Sequence, residues 1–144
     1  MRKVFVVSST LVVIVVLTQF YLAGVGGFSR PATTDSWTAH RAGALAVMVV
    51  VLIDIVVAAL ARAGGRIVAF AALPLGLVVL QFVLVALSNA LGGSQDDRTG
   101  LPLYVVALHV LNGLAILGAA VTGLRNARRL AAGAVTGSPR IHTA

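Results

Sequence analysis

Four long apolar runs, at roughly 4–28, 35–61, 67–91 and 101–124, are separated by only a few polar or charged residues each. Each is close to the ~20 residues with which a helix crosses a hydrocarbon core about 30 Å thick. The runs are continuous rather than alternating, so helices are expected and barrel strands are not. Short connections make sequential helices antiparallel. The expected fold is therefore all-α: an integral membrane four-helix up-down-up-down bundle over 1–124, followed by a basic, disordered cytoplasmic tail over 125–144. Composition agrees, because 59% hydrophobic and 10% charged residues leave too little polar surface for a soluble domain.

A net charge of +7 invites a nucleic-acid reading, and its distribution rejects it. If the first run enters from the cytoplasm, Arg2, Lys3, Arg62, Arg66, Arg125, Arg128, Arg129 and Arg140 lie inside, eight of the eleven basic residues. Arg30, Arg41 and Arg98 lie outside with Asp35, Asp96 and Asp97. This positive-inside asymmetry predicts that both termini are cytoplasmic. A nucleic-acid patch needs clustered charge with interleaved aromatics, and the chain has neither.

Cysteine is absent, which excludes disulfides, iron–sulfur clusters, thiolate metal sites and covalent haem attachment. The four acidic residues are all Asp, so carboxylate pairs and metal cages are poorly supplied. Abundant Ala, Val, Gly and Arg with a single Lys matches a high-GC bacterial genome, and the plasma membrane of a bacterium is the expected location. Met1-Arg2-Lys3 before an apolar run has the outline of a signal peptide. The run through Leu22 exceeds the usual core of about 7–15 residues, however, and Gly24-Val25-Gly26 is a poor cleavage site. A retained first helix is expected.

That helix also has a counterpart later in the chain. Aligning Gln19 with Gln81 superimposes Val16–Leu22 on Val78–Leu84, and aligning His40 with His109 superimposes the second and fourth runs. The offsets are 62 and 69 residues, as expected for two helix pairs running in the same direction with a longer loop in the second. Thr34 or Asp35 is placed to cap the second helix, with Trp37 at the membrane interface. Thr99 or Gly100 can cap the fourth, with Pro102 in its first turn. Pro74 is expected to bend the third.

Ionisable side chains are costly at membrane depth and usually face a bundle interior or a cavity. His40 and His109 are therefore candidate axial ligands, one per repeat, for a haem held between helices. One turn deeper come Gly43 and Ala44 below His40, and Asn112 and Gly113 below His109. These offer a floor against which a macrocycle could lie. Gln19 and Gln81 could accept the second ring N–H of each imidazole, and Arg41 could meet a propionate. Each has a packing alternative: histidine and glutamine as interhelical glue, small residues as close-crossing points, Arg41 as a snorkelling side chain. Asp54, fourteen residues after His40, returns to nearly the same face ~21 Å deeper. It is either a proton-uptake carboxylate or a partner of Arg62 or Arg125.

The pattern Gln19-Phe20-x-Leu22, His40-x-x-Gly43-Ala44-Leu45-Ala46, Leu80-Gln81-Phe82 and Leu108-His109-x-x-Asn112-Gly113-Leu114 resembles an uncharacterised family of small four-helix bacterial membrane proteins. The likeness runs from about Val12 to Leu124. That family is distantly similar to four-helix cytochromes b of the b561 type and to one half of haem A synthase. The resemblance implies histidine ligation of haem, and only His40 and His109 carry over as ligands. The synthase-like enzymes use a glutamate in an early helix, and this chain has no glutamate. The b561-type proteins offer four membrane histidines for two haems, and here there are two.

These readings converge on a small b-type cytochrome or haem-handling membrane protein with one bis-histidine haem b near the outer side. It would transfer electrons with quinone or a membrane redox partner. A cofactor-free scaffold or accessory subunit, and a small proton- or solute-conducting protein, remain the alternatives. Homo-oligomerisation is left open.

Overall fold

The computed structural model describes residues 1–31, 34–93 and 99–136. The expectations placed on Asp96, Asp97, Arg98 and Arg140, and on the tail beyond 136, lie outside these residues. Four helices account for nearly all of the rest: α1 (Arg2–Phe28), α2 (Thr38–Leu60), α3 (Gly65–Ala90) and α4 (Gly100–Thr136). Each is long and apolar enough to span a membrane. They pack as a closed ring in which α1 touches α2 and α4, while α3 touches α4 and α2. The pairs α1/α3 and α2/α4 therefore face each other across the two diagonals. Matched histidines sit on one diagonal and matched glutamines on the other.

Only 22–28% of the residues in each apolar window are buried within the bundle. Large side chains such as Leu17, Leu45, Val56 and Leu114 point outward. In water such a surface would be untenable; facing lipid tails it is the expected exterior of a multi-pass membrane protein.

The interior is layered along the bundle axis. Gln19, His40, Gln81 and His109 lie toward the end where α1 meets α2 and α3 meets α4. Below them Val12, Val16, Val47, Val51, Val78, Ile116 and Ala120 form an apolar cluster. Asp54 with Ser8 and Ser9 comes next, and then a second apolar cluster of Phe5, Ala58, Ala61, Ala71 and Ala127. The far end carries Arg2, Arg66 and the arginines of late α4.

Local chemistry accounts for the element ends, with two departures from expectation. The cap position expected at Thr34 or Asp35 lies later in the chain; Thr34–Trp37 forms a 3-10 turn and Trp37 occupies the cap position without a side-chain hydrogen bond. The turn lays the Trp37 ring on α1 at Gly26, where an added Cβ would come within 2.8 Å of it. Any larger residue at 26 would push the tryptophan away. Pro74 lies buried inside α3, which continues as one helix through it. The tail expected from Arg125 is helical as far as Thr136, because α4 carries on past the apolar run. At ~1.5 Å per residue its 37 residues reach about 55 Å, so its last turns project beyond the hydrocarbon.

Candidate functional site

His40 lies in the first turn of α2 and His109 in the third turn of α4. Their imidazoles meet across the diagonal with ring centroids 6.1 Å apart and planes inclined at 61°. Both line a cavity of about 720 Å³ whose walls are almost wholly apolar, including Val16, Phe20, Val78 and Phe82. That volume is within the range of roughly 300–1,000 Å³ usual for small-molecule and cofactor sites.

The His40 ring is held on two sides. Its Nδ1 is 3.3 Å from the main-chain carbonyl oxygen of Gln19. A carbonyl only accepts, so this contact puts the ring proton on Nδ1 and leaves the Nε2 lone pair available. Trp37 meets the same ring edge-on, with centroids 5.9 Å apart. The expected orienting group, the Gln19 side chain, is thus replaced by the Gln19 backbone.

The Gln19 amide does something else. An added Cβ at Gly43 would collide with Gln19 Nε2, so the glutamine amide occupies the space that a side chain at 43 would take. Gln19 Oε1 is buried there without a hydrogen-bond partner. In the second pair, Asn112 Nδ2 donates to Gln81 Oε1 and to the carbonyl oxygen of Leu77, each at 2.7 Å.

The floor expected beneath the histidines is accordingly corrected in half its members. Gly43 and Asn112 are spent on helix–helix contacts and do not line the cavity, whereas Ala44 and Gly113 do. Gln19 and Gln81 also line it, as does Arg41, which remains exposed. Arg41 therefore combines cavity wall and interfacial charge.

Asp54 is 3% exposed and lies in the other half of the bundle. Ser8 and Ser9 donate hydroxyl hydrogen bonds to its Oδ1 at 2.5 and 3.0 Å. The pairing expected with Arg62 or Arg125 is not made among the described residues; the serines one layer in from the arginines reach the carboxylate instead. Sequence reasoning missed these serines, although a Ser-Ser doublet inside an otherwise apolar run was the available signal. It also missed the Trp37 contact, because an interfacial tryptophan needs no partner to be explained.

Residues 19–88 match a family of unknown function (DUF6220). The matched segment begins at Gln19 and takes in His40, Gly43, Asp54 and Gln81, but stops before α4 and His109. No curated protein and no solved structure matches the chain.

Proposed function

We propose that this membrane bundle holds one haem b between His40 and His109 and serves as a small one-electron carrier. The bilayer would be a bacterial plasma membrane, with both termini cytoplasmic and the histidine end outward. The observation that carries the reading is the convergence of two imidazoles from diagonal helices on one apolar cavity. His40 and His109 would hold the group between their rings, both of which line the cavity.

The donor set fits in kind. Two neutral imidazoles are a haem iron's ordinary b-type ligands, and the chain offers no thiolate to compete. When bound, the group supplies one-electron chemistry. The protein's own contributions are separable. The Gln19 carbonyl fixes the His40 tautomer, and Trp37 limits ring rotation. Asn112 holds Gln81 in the wall, and the apolar lining keeps water from the centre. Arg41 is suited to a carboxylate substituent at the interface, where a guanidinium can bind it through two parallel hydrogen bonds. Quinone or a membrane redox partner would exchange the electron.

A cofactor-free accessory subunit is the second reading. It is favoured by the way Gln19–Gly43 and Gln81–Asn112 already join their helices without a ligand. Conduction is less well served, since a valine-rich layer separates the histidines from Asp54.

Absorption spectroscopy of the purified protein separates these readings. Protein made with haem available should show the sharp reduced bands of six-coordinate haem b. His40→Ala or His109→Ala should give a high-spin spectrum or lose the group altogether. A colourless wild-type protein, or an unchanged spectrum in either variant, would overturn the proposal.

A further inference from the structure

At the opposite end of the bundle, Arg66, Ile67 and Phe70 of early α3 and Asn126 and Arg129 of late α4 line a second cavity of about 250 Å³. Two guanidiniums and an amide converge on it, and every one of those nitrogens is a donor. Asn126 can accept through its side-chain oxygen, but no group lining the cavity carries negative charge.

Among the described residues no aspartate reaches this end. Of the chain's four aspartates, Asp54 is held by Ser8 and Ser9, and Asp35 precedes α2 at the far end of the bundle. Asp96 and Asp97 fall in the segment joining α3 to α4, remote in sequence from this end of either helix. Against them, Arg2, Lys3, Arg62, Arg66, Arg125, Arg128 and Arg129 belong to helix ends or connections on this side. Like charges drawn into one cavity without a protein counter-charge call for an anion from outside.

The shape narrows the choice. Phe70 and Ile67 supply an apolar wall on α3, and the helix faces beside them carry exposed apolar side chains such as Leu73. A ligand with a phosphate group at one end and hydrocarbon at the other satisfies both halves. Late α4 extends past the hydrocarbon, which puts Asn126 and Arg129 at headgroup level rather than in bulk water.

We infer that the cavity between α3 and α4 binds the phosphate headgroup of an anionic phospholipid through Arg66, Arg129 and Asn126. The site belongs to a class of basic clefts between transmembrane helices that recognise acidic lipids by direct hydrogen bonding as well as by surface potential. It is independent of the histidine cavity and stands whether or not that cavity holds haem.

Native mass spectrometry of the full-length protein, released from detergent after incubation with phosphatidylglycerol, tests the assignment. Phosphatidylcholine and inorganic phosphate serve as separate arms. Phosphatidylglycerol adducts should survive at energies that strip phosphatidylcholine. The R66Q/R129Q double variant should reduce them by roughly tenfold or more. The control R62Q/R128Q removes the same charge outside the cavity and should change adduct yield little. Equal adducts in wild type and R66Q/R129Q, or equal losses in the two double variants, would overturn the site. Retention of inorganic phosphate through Arg66 and Arg129 without retention of phosphatidylglycerol would overturn its assignment to lipid. A thermal melt of each variant guards against misfolding, and Arg66→Lys with Arg129→Lys, which keeps the charge but loses the planar fork, should restore binding only in part.

Discussion

In the first helix pair Gln19 of α1 fills the space left by Gly43 of α2; in the second, Gln81 of α3 is gripped by Asn112 of α4. Gly43 and Asn112 are 69 residues apart, the same offset that relates His40 to His109. Both pairs therefore set a glutamine against the same position of the neighbouring helix, one by removing a side chain and the other by supplying an amide. The histidine half of the bundle tolerates this difference because either contact brings the paired helices together while leaving the imidazoles facing one cavity.

The other half is not matched at all. Applying the same offsets, Ser8, Ser9 and Asp54 of the first pair correspond to Phe70, Ala71 and Gly123 of the second. One pair carries a buried hydrogen-bonded carboxylate, and the other carries apolar and small residues beside an arginine-lined cavity. If the chain arose by duplication, the constraint on the histidine end is shared and the constraint at the arginine end is not.

The asymmetric half should give the largest response to substitution. Replacing Ser8 and Ser9 together by Ala strips both hydroxyl donors from a carboxylate that has no other partner among the described residues. A loss of about 3 kcal/mol is expected, since a buried polar group left unsatisfied carries its full desolvation cost. Asp54→Asn keeps an oxygen that accepts from both serines and should cost less than half as much. Unfolding by SDS titration in bicelles reads both, and a larger loss in Asp54→Asn than in the serine pair would contradict this account of the cluster.

Next in size is Gly43→Ala. The new methyl would occupy the place of the Gln19 amide, and overpacking of this kind typically costs about 1–3 kcal/mol. The same substitution made in Gln19→Ala should cost almost nothing, because the occupant is already gone. A double-mutant cycle with no coupling would show that Gly43 is small for another reason. Asn112→Ala should have the smallest effect. It removes two hydrogen bonds, but Leu77 O also serves its own helix, and interhelical side-chain bonds in membranes average about 0.6 kcal/mol. A loss of about 1 kcal/mol is expected in the same assay, and a loss larger than that of Gly43→Ala would reverse the ranking of the two pairs.

Much of this molecule is set by one dimension of the sequence. The length and continuity of the apolar runs determine that there are four helices, and their short connections determine the order around the ring. The charges mark two unlike ends. The pairing of His40 with His109 was legible as well, because two matched ionisable residues in apolar helices have few places to go.

Tertiary structure alone decided the rotation of each helix, and so which polar atoms meet. In a water-soluble helix the buried face announces itself by hydrophobic periodicity. Here lipid is as apolar as the core, and a helix that is hydrophobic all round leaves that face unmarked. That is why the Gln19 backbone rather than its amide holds His40, and why Asn112 turns to Gln81 instead of the cavity. It is also why two serines, rather than Arg62 or Arg125, answer Asp54.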